Sequence, residues 1–312
     1  MAVPGWGKEP MQTSDQPWAA ERFVRFPPKW RLVLVPTAPR AATALGVSLY
    51  TASRPVPLLA QRALWAAARV AGARALPGPR ETWTPPVPED VLTGVWAEVA
   101  GHTGHRAAAF AVYERRQSSR AALTLFACAG RRSLLVRVRA SAAELALERA
   151  IADAARDRPP AGFRVPAAVA GGEVEGWHWV AYETIATRPH APLRSPGPAL
   201  FDEVSELVER GLDRPAGVPD HWRGAHGDLT AWNLRRTNLG RWLIDWEDAG
   251  WAPPGADRVY WSVVAQTLRR RPVRPPAVDR HPEAAAYWRR IVEARAADDD
   301  PALHQRLLDL LG

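Results

Sequence analysis

The sequence predicts an α+β chain: a small antiparallel-sheet half, a mainly helical half, and an extra α/β module in front of both. Three observations carry this. Ala107–Glu114, Ala122–Ala129 and Ser133–Arg139 are apolar or alternating runs, broken by Arg115–Arg120 and by Gly130-Arg131-Arg132, as in neighbouring antiparallel strands. Beyond Glu183 helical patterns dominate, first around Asp202, Glu203, Glu206 and Glu209 and then from Asp279 to Gly312. Leu76-Pro-Gly-Pro-Arg-Glu-Thr-Trp-Thr-Pro-Pro-Val-Pro88 reads as a linker separating an N-terminal module from the rest.

Taken in order, residues 1–17 are rich in Gly, Pro, Ser and Gln and are expected to lack order. Residues 18–88 form the N-terminal module and linker. Within them Arg31–Pro36 and Ala44–Tyr50 read as short strands and Leu58–Leu76 as a helix. That helix would carry Leu59, Leu64, Val70 and Ala71 on its apolar side, with Arg62, Arg69 and Arg74 interspersed. A basic amphipathic helix can make weak contact with a membrane surface or a protein. It can equally pack on the next domain and keep its Arg heads in water. Residues 89–182 supply the small sheet and a helix that starts at Ser141, an N-cap with Glu144 three residues on. Arg164–Val169, a Gly171-Gly172 break and Trp177–Glu183 complete it. Residues 183–312 form the helical half.

At 312 residues the chain can bury a large core. It carries 41 basic and 33 acidic residues, net +8, yet only Lys8 and Lys29 are lysines. No basic block with interleaved aromatics occurs, so no nucleic-acid partner is expected. The single cysteine, Cys128, excludes an internal disulfide framework and a multi-cysteine metal site, and it reads as a buried strand thiol. No apolar run reaches the 18 or so residues of a membrane span, and no apolar leader opens the sequence. A cytoplasmic location is expected.

The chemistry concentrates in residues 226–250. Asn233–Thr237 and Arg241–Asp245 read as a hairpin about Asn238-Leu239-Gly240, a three-residue turn ending in Gly. Pairing about Leu239 sets Asn233 opposite Asp245, and opposed residues have Cβ atoms roughly 4.5–5.5 Å apart. An amide oxygen and a carboxylate that close can share Mg²⁺, which favours such ligands alongside phosphate oxygens. Asp228 lies five residues before Asn233, in the loop that enters the first strand. Period-two alternation sends Trp232 and Trp246 to the opposite, core side of this hairpin and leaves Trp222 and Trp251 freer to line a pocket.

His226-Gly227-Asp228-Leu229, Asn233 five residues beyond Asp228, and Ile244-Asp245-Trp246-Glu247-Asp248 resemble the catalytic segments of the aminoglycoside phosphotransferase and choline kinase-like group, which has the protein-kinase-like fold. The resemblance covers about residues 92–265. It implies a bilobal fold and an ATP- and Mg²⁺-dependent transfer of phosphate to a hydroxyl of a small molecule: a sugar, an aminosugar or an amino alcohol. It further implies that Asp228 is the base, that His226 braces the loop, and that Asn233 and Asp245 hold Mg²⁺. Arg137 takes the place of the nucleotide-binding Lys, with Glu148 as its partner and Arg139 as the alternative in register. Glu183 falls near the hinge, and Gly101 and Gly104 are the best candidates for a phosphate-covering loop. Asp257 would steady the catalytic loop. Arg forks where Lys does not, so a pseudokinase acting as a nucleotide-binding or protein- or membrane-interaction module is the competing reading.

Overall fold

The computed structural model describes residues 22–28, 33–49, 52, 54–103, 109–114, 122–129, 132–185, 188–237, 239–269, 272–295 and 301–312. The expected unordered segment 1–17, Gly104, Arg115–Arg120 and Asp298–Asp300 lie outside these residues.

The first half is one seven-stranded antiparallel sheet. Its strands are β1 (Phe23–Phe26), β2 (Val33–Pro36), β3 (Ala109–Tyr113), β4 (Ala122–Ala129), β5 (Arg132–Arg139), β6 (Ala168–Val174) and β7 (Trp177–Glu183), in the order β1-β2-β3-β4-β5-β7-β6. The strands expected at 107–139 and 177–183 are present. Strand β6, however, begins later than the sequence suggested and runs through Gly171 and Gly172 rather than breaking there. A side chain at Gly172 would sit 2.7 Å from Glu98 Oε2, and that oxygen accepts the indole N–H of Trp179 at 2.8 Å. Glycine lets a helix carboxylate reach across the strand.

Side-chain alternation splits the sheet into two faces. Leu134, Val136 and Val138 of β5 pack against Val91, Leu92 and Val95 of α3 (Glu89–Thr103). Sequence reading overlooked this helix, although Val91, Leu92, Val95, Trp96 and Val99 recur at helical spacing behind Glu89 and Asp90 in the first turn. Leu135, Arg137 and Arg139 point to the other face, toward α4 (Ala142–Asp157). Helix α4 starts where expected, with Ser141 Oγ accepting from Ala143 N at 3.3 Å.

The N-terminal α/β segment is built onto this sheet and is not set apart from it. β2 pairs with β3, Val33 opposite Tyr113, and Phe23 and Leu34 enter the same core cluster as Val91 and Phe110. The expected boundary at residue 88 therefore falls inside one packed lobe. Phe23 and Leu34 are 0% exposed, and burying each such side chain contributes about 1.5–3 kcal/mol. Residues 44–50, expected as a strand, belong to helix α1 (Arg40–Leu49), whose Ala42 and Leu45 pack on Ala109 and Cys128. Cys128 is buried and its thiol is raised by that burial, which suits an inert packing group. Helix α2 spans Pro55–Ala71 and gives way to a 3₁₀ turn at Gly72–Ala75. Its inner side is Leu58, Gln61 and Ala68, while Leu59 and Val70, expected inside, are exposed. Gln61 Nε2 donates to Val47 O at 2.8 Å and locks α2 to α1.

The second half is helical: α5 (Pro198–Gly211), α6 (Ala256–Thr267), α7 (Pro276–Arg280), α8 (Pro282–Ala294) and α9 (Pro301–Leu311). Short strands carry the site. β8 (Ala191–Pro192), β10 (Leu234–Thr237) and β11 (Gly240–Leu243) form one sheet, and β9 (Arg223–Ala225) pairs with β12 (Gly250–Ala252). The molecule is thus the bilobal α+β arrangement expected from the sequence. No helix among the described residues is long and apolar enough to cross a membrane.

Candidate active site

The β9–β12 pair, with Ala225 opposite Gly250, clamps the two ends of residues 226–249 together. Everything chemical in the second lobe hangs from this clamp. His226 is 0% exposed; its Nδ1 accepts from Asp228 N at 3.2 Å, so its Nε2–H donates to Ile244 O at 3.1 Å. Its ring lies 4.5 Å from that of Trp246. Burial lowers its pKa from 6.5 to about 4, against the pull of Asp245. His226 is therefore a neutral strut that ties the Asp228 loop to the Asp245 segment. Asp257, near the start of α6, accepts His226 N at 2.8 Å and Gly227 N at 3.3 Å. Burial raises it to about 6 while these two donors oppose the rise. Gly227 has φ +80, and a Cβ there would come 1.9 Å from Asp248 O. Only glycine fits.

Asp228 accepts from Asn233 Nδ2 through its backbone oxygen at 2.9 Å and through Oδ2 at 2.8 Å. Burial, and then the charges of Asp245 and Asp248, push its pKa well above the ordinary carboxylate range. A carboxylate so placed takes a proton avidly. Arg295 Nη2 pairs with Asp248 Oδ2 at 3.3 Å and eases the crowding of acids.

The hairpin register differs by one residue from the expected one. Leu234 faces Leu243 and Thr237 faces Gly240, so Gly240 belongs to the strand and the connection is two residues. Asn233 consequently lies opposite Ile244, whose N donates to Asn233 O at 3.1 Å. Asp245 reaches the cleft by a different route, a left-handed turn at φ +70, which Asp tolerates better than most residues. Asn233 and Asp245 still line one cavity of about 330 Å³ between the lobes.

Across that cavity Arg137 is 8% exposed and bridges both lobes. Its Nη1 lies 2.7 Å from Glu148 Oε1 and 3.4 Å from Glu247 Oε2, and its Nη2 lies 2.9 Å from Asp245 Oδ1. Burial alone would lower the Arg137 pKa, but the three carboxylates raise it, so it stays charged. Burial raises Glu148 in turn, with Arg137 opposing. Arg139, the alternative in register, donates instead to Leu123 O and Val138 O and pairs with Glu144 at 3.6 Å. Glu183 ends β7 at the cavity rim, with its side chain exposed and its N donating to Ala167 O at 3.0 Å.

Other expectations are corrected. Gly101 is in the last turn of α3, on the sheet face opposite Arg137, so it covers no phosphate site. Its helical neighbours Val95, Trp96 and Val99 required that turn to continue. Trp222 donates to Glu283 Oε1 at 2.9 Å and packs edge-on to Tyr287, and Trp251 lies under Arg214 at 4.2 Å. Neither lines the cavity; Trp246 is core and Trp232 packs against core as expected, and both also border the cavity. The acids of α5, read as a helical pattern, do form a helix, and three of them are tied outside the cavity: Asp202 to Arg258, Glu203 to Gly162 N, and Glu209 to Arg223 and Gly224 N.

Sequence reading missed Arg235, His190, Tyr182 and the α1 residues Leu45 and Leu49, all of which line the cavity. Arg235 was legible, since it lies two residues past Asn233 and so on the same side of β10. The α1 wall was not, because nothing local in Leu45 or Leu49 says which sheet face it will cover.

His190 is 6% exposed and burial lowers its pKa from 6.5 to about 4. A histidine depressed on folding gives stability that is fully present above pH 6.5 and is lost as pH falls toward 4. Melting temperatures of the parent chain and His190→Gln should therefore differ by a constant above pH 6.5. Between pH 6.5 and about 4 the parent should lose ground to the variant; a pH-independent difference throughout would contradict this.

The fold and site define a two-lobed α+β protein with a buried loop-and-hairpin centre resembling that of the kinase-like phosphotransferases. Comparison with solved structures finds the aminoglycoside phosphotransferase APH(4)-Ia, at 13% identity over 70% of this chain and 90% of that one, with a TM-score of 0.40. It also finds the spectinomycin phosphotransferase APH(9)-Ia, at 10% identity over 70% and 86% of the two chains, TM-score 0.41. No protein-family model matches the chain, and no curated protein matches it. At these values neither activity nor substrate carries over to this chain.

Proposed function

We propose that the chain is a small-molecule kinase that transfers phosphate from ATP to a hydroxyl acceptor with Mg²⁺. The observation that carries this reading is the hydrogen bond between Asp228 and Asn233, with Asn233 and Asp245 lining the cavity that Arg137 and Glu148 line from the other lobe and Asp245 paired to Arg137. Phosphoryl transfer needs positioned groups and electrostatic stabilisation more than covalent chemistry, and this arrangement provides both.

The metal test turns on donor chemistry. Asn233 Nδ2 faces Asp228, which leaves Oδ1 as the coordinating end of the amide, and Asp245 adds a carboxylate; hard oxygen donors of this kind suit Mg²⁺. Among the described residues no group of three or more His, Cys, Asp or Glu side chains could hold a metal, so the remaining ligands would be phosphate oxygens and water. Bound there, the ion would neutralise charge on the transferring phosphate. Asp228 would accept the acceptor hydroxyl's proton, which its raised pKa favours. Asn233 would keep Asp228 oriented, and Arg137 would turn part of its fork toward phosphate.

One observation favours the pseudokinase reading: Arg137 itself sits on Asp245 and Glu247, in the place where a cation is wanted. Acceptor-stimulated ADP release decides between the two. Sugars, aminoglycosides and amino alcohols are offered with Mg·ATP, and at least one should raise ADP release well above the rate with water. Binding of Mg·ATP with no stimulation by any of them would favour the non-catalytic module.

A further inference from the structure

Arg235 is a half-buried cation that lines the same cavity as the buried Arg137. Its Nε donates to Trp232 O at 2.9 Å, and no carboxylate pairs with its guanidinium among the described residues. A half-buried guanidinium with no paired carboxylate leaves its Nη groups open to an anion entering the cavity. Arg137, which lines the same cavity, already pairs with Glu148, Asp245 and Glu247.

Two further polar atoms in the same cavity lack partners. His190 Nε2 and Tyr182 Oη are both buried without a hydrogen bond, on side chains 6% and 5% exposed. Native proteins rarely leave such atoms unsatisfied except where a ligand or water completes them. Arg235, Arg188 and Arg62 all contribute to lowering the His190 pKa, so positive charge surrounds the His190 side of the cavity, while Glu148 acts on Tyr182. Leu45 and Leu49 of α1, with Phe126 and Trp232, form apolar walls that would keep an ionic contact there strong.

We propose that Arg235, with His190 and Tyr182, forms an oxyanion subsite in the cleft that takes a phosphate or carboxylate group of a small molecule without a metal. Both Nη groups of Arg235 are available for a two-pronged contact with such a group. Tyr182 Oη donates a third hydrogen bond, and the neutral His190 donates through Nε2–H. The subsite stands independently of phosphotransfer, since neither Asp228 nor a nucleotide takes part in it.

The test uses the full chain in EDTA, titrated calorimetrically with inorganic phosphate and, separately, with malonate. At least one should bind; phosphate alone identifies a phosphate subsite, and malonate a carboxylate one. Arg235→Gln should weaken binding about tenfold or more, in line with loss of charge-assisted hydrogen bonds, while Arg235→Lys retains part of it. His190→Gln leaves β10 intact and should cost about threefold or more, which keeps the test decisive if Arg235→Gln fails to fold. Failure of the parent chain to bind either anion would overturn the proposal, as would unchanged binding by the folded Arg235→Gln or by His190→Gln.

Discussion

Asp228→Asn is expected to fold and to bind Mg·ATP much as the parent chain does, yet to turn over roughly 10²–10⁴-fold more slowly, the usual range for a positioned acid–base group. The substitution keeps an oxygen toward Asn233 Nδ2, so the 2.8 Å contact survives. It also removes a buried carboxylate whose ionisation opposes folding. Because the pKa of Asp228 is raised, its charged form costs stability at every pH above the ordinary carboxylate range. At neutral pH the variant should melt higher than the parent, because unfolded Asp228 is ionised there while the folded one is either held neutral or charged at a cost. A purely structural Asp228 would give the opposite signature, a lower melting temperature. Thermal melts beside the ADP-release assay separate the two.

The second large effect belongs to Arg137. The resemblance made it a nucleotide ligand paired with Glu148, and the structure brings three carboxylates onto it, with Glu148 itself 6% exposed. Arg137→Met strands those charges. Breaking a buried ion pair from one side costs about 3–5 kcal/mol, and denaturant melts of the nucleotide-free chain should show a loss of that order. Adding Glu148→Leu removes the most deeply buried stranded carboxylate and should recover part of the loss. If Arg137→Met alone melts like the parent, the network contributes nothing to folding and its geometry here is incidental.

Much of this was legible in the sequence, for identifiable reasons. Strands β3, β4, β5 and β7 announce themselves by alternation and turn residues, and the Asp228, Asn233 and Asp245 set by spacing. What failed was whatever depended on tertiary context. The hairpin register hinged on whether Gly240 turns or pairs, and a local pattern suits both. The Pro-rich run at 76–88 marks loop conformation truthfully, yet it says nothing of β1 and β2 returning to extend the sheet. Residues 44–50 read as strand because Leu45 and Val47 alternate, and packing of α1 on β3 and β4 overrode that preference. The orphaned polar atoms of Tyr182 and His190 become visible only once the cavity exists.

Asp245 and Asn233 are proposed to hold the metal that carries ATP. Calorimetric titration of ATP into the parent chain and Asp245→Asn, each with and without Mg²⁺, tests it most directly. Parent binding should depend on Mg²⁺, and Asp245→Asn should abolish that dependence along with most of the affinity. Equal affinity with and without Mg²⁺ in the parent, or an Asp245→Asn chain that binds Mg·ATP as the parent does, would contradict the account.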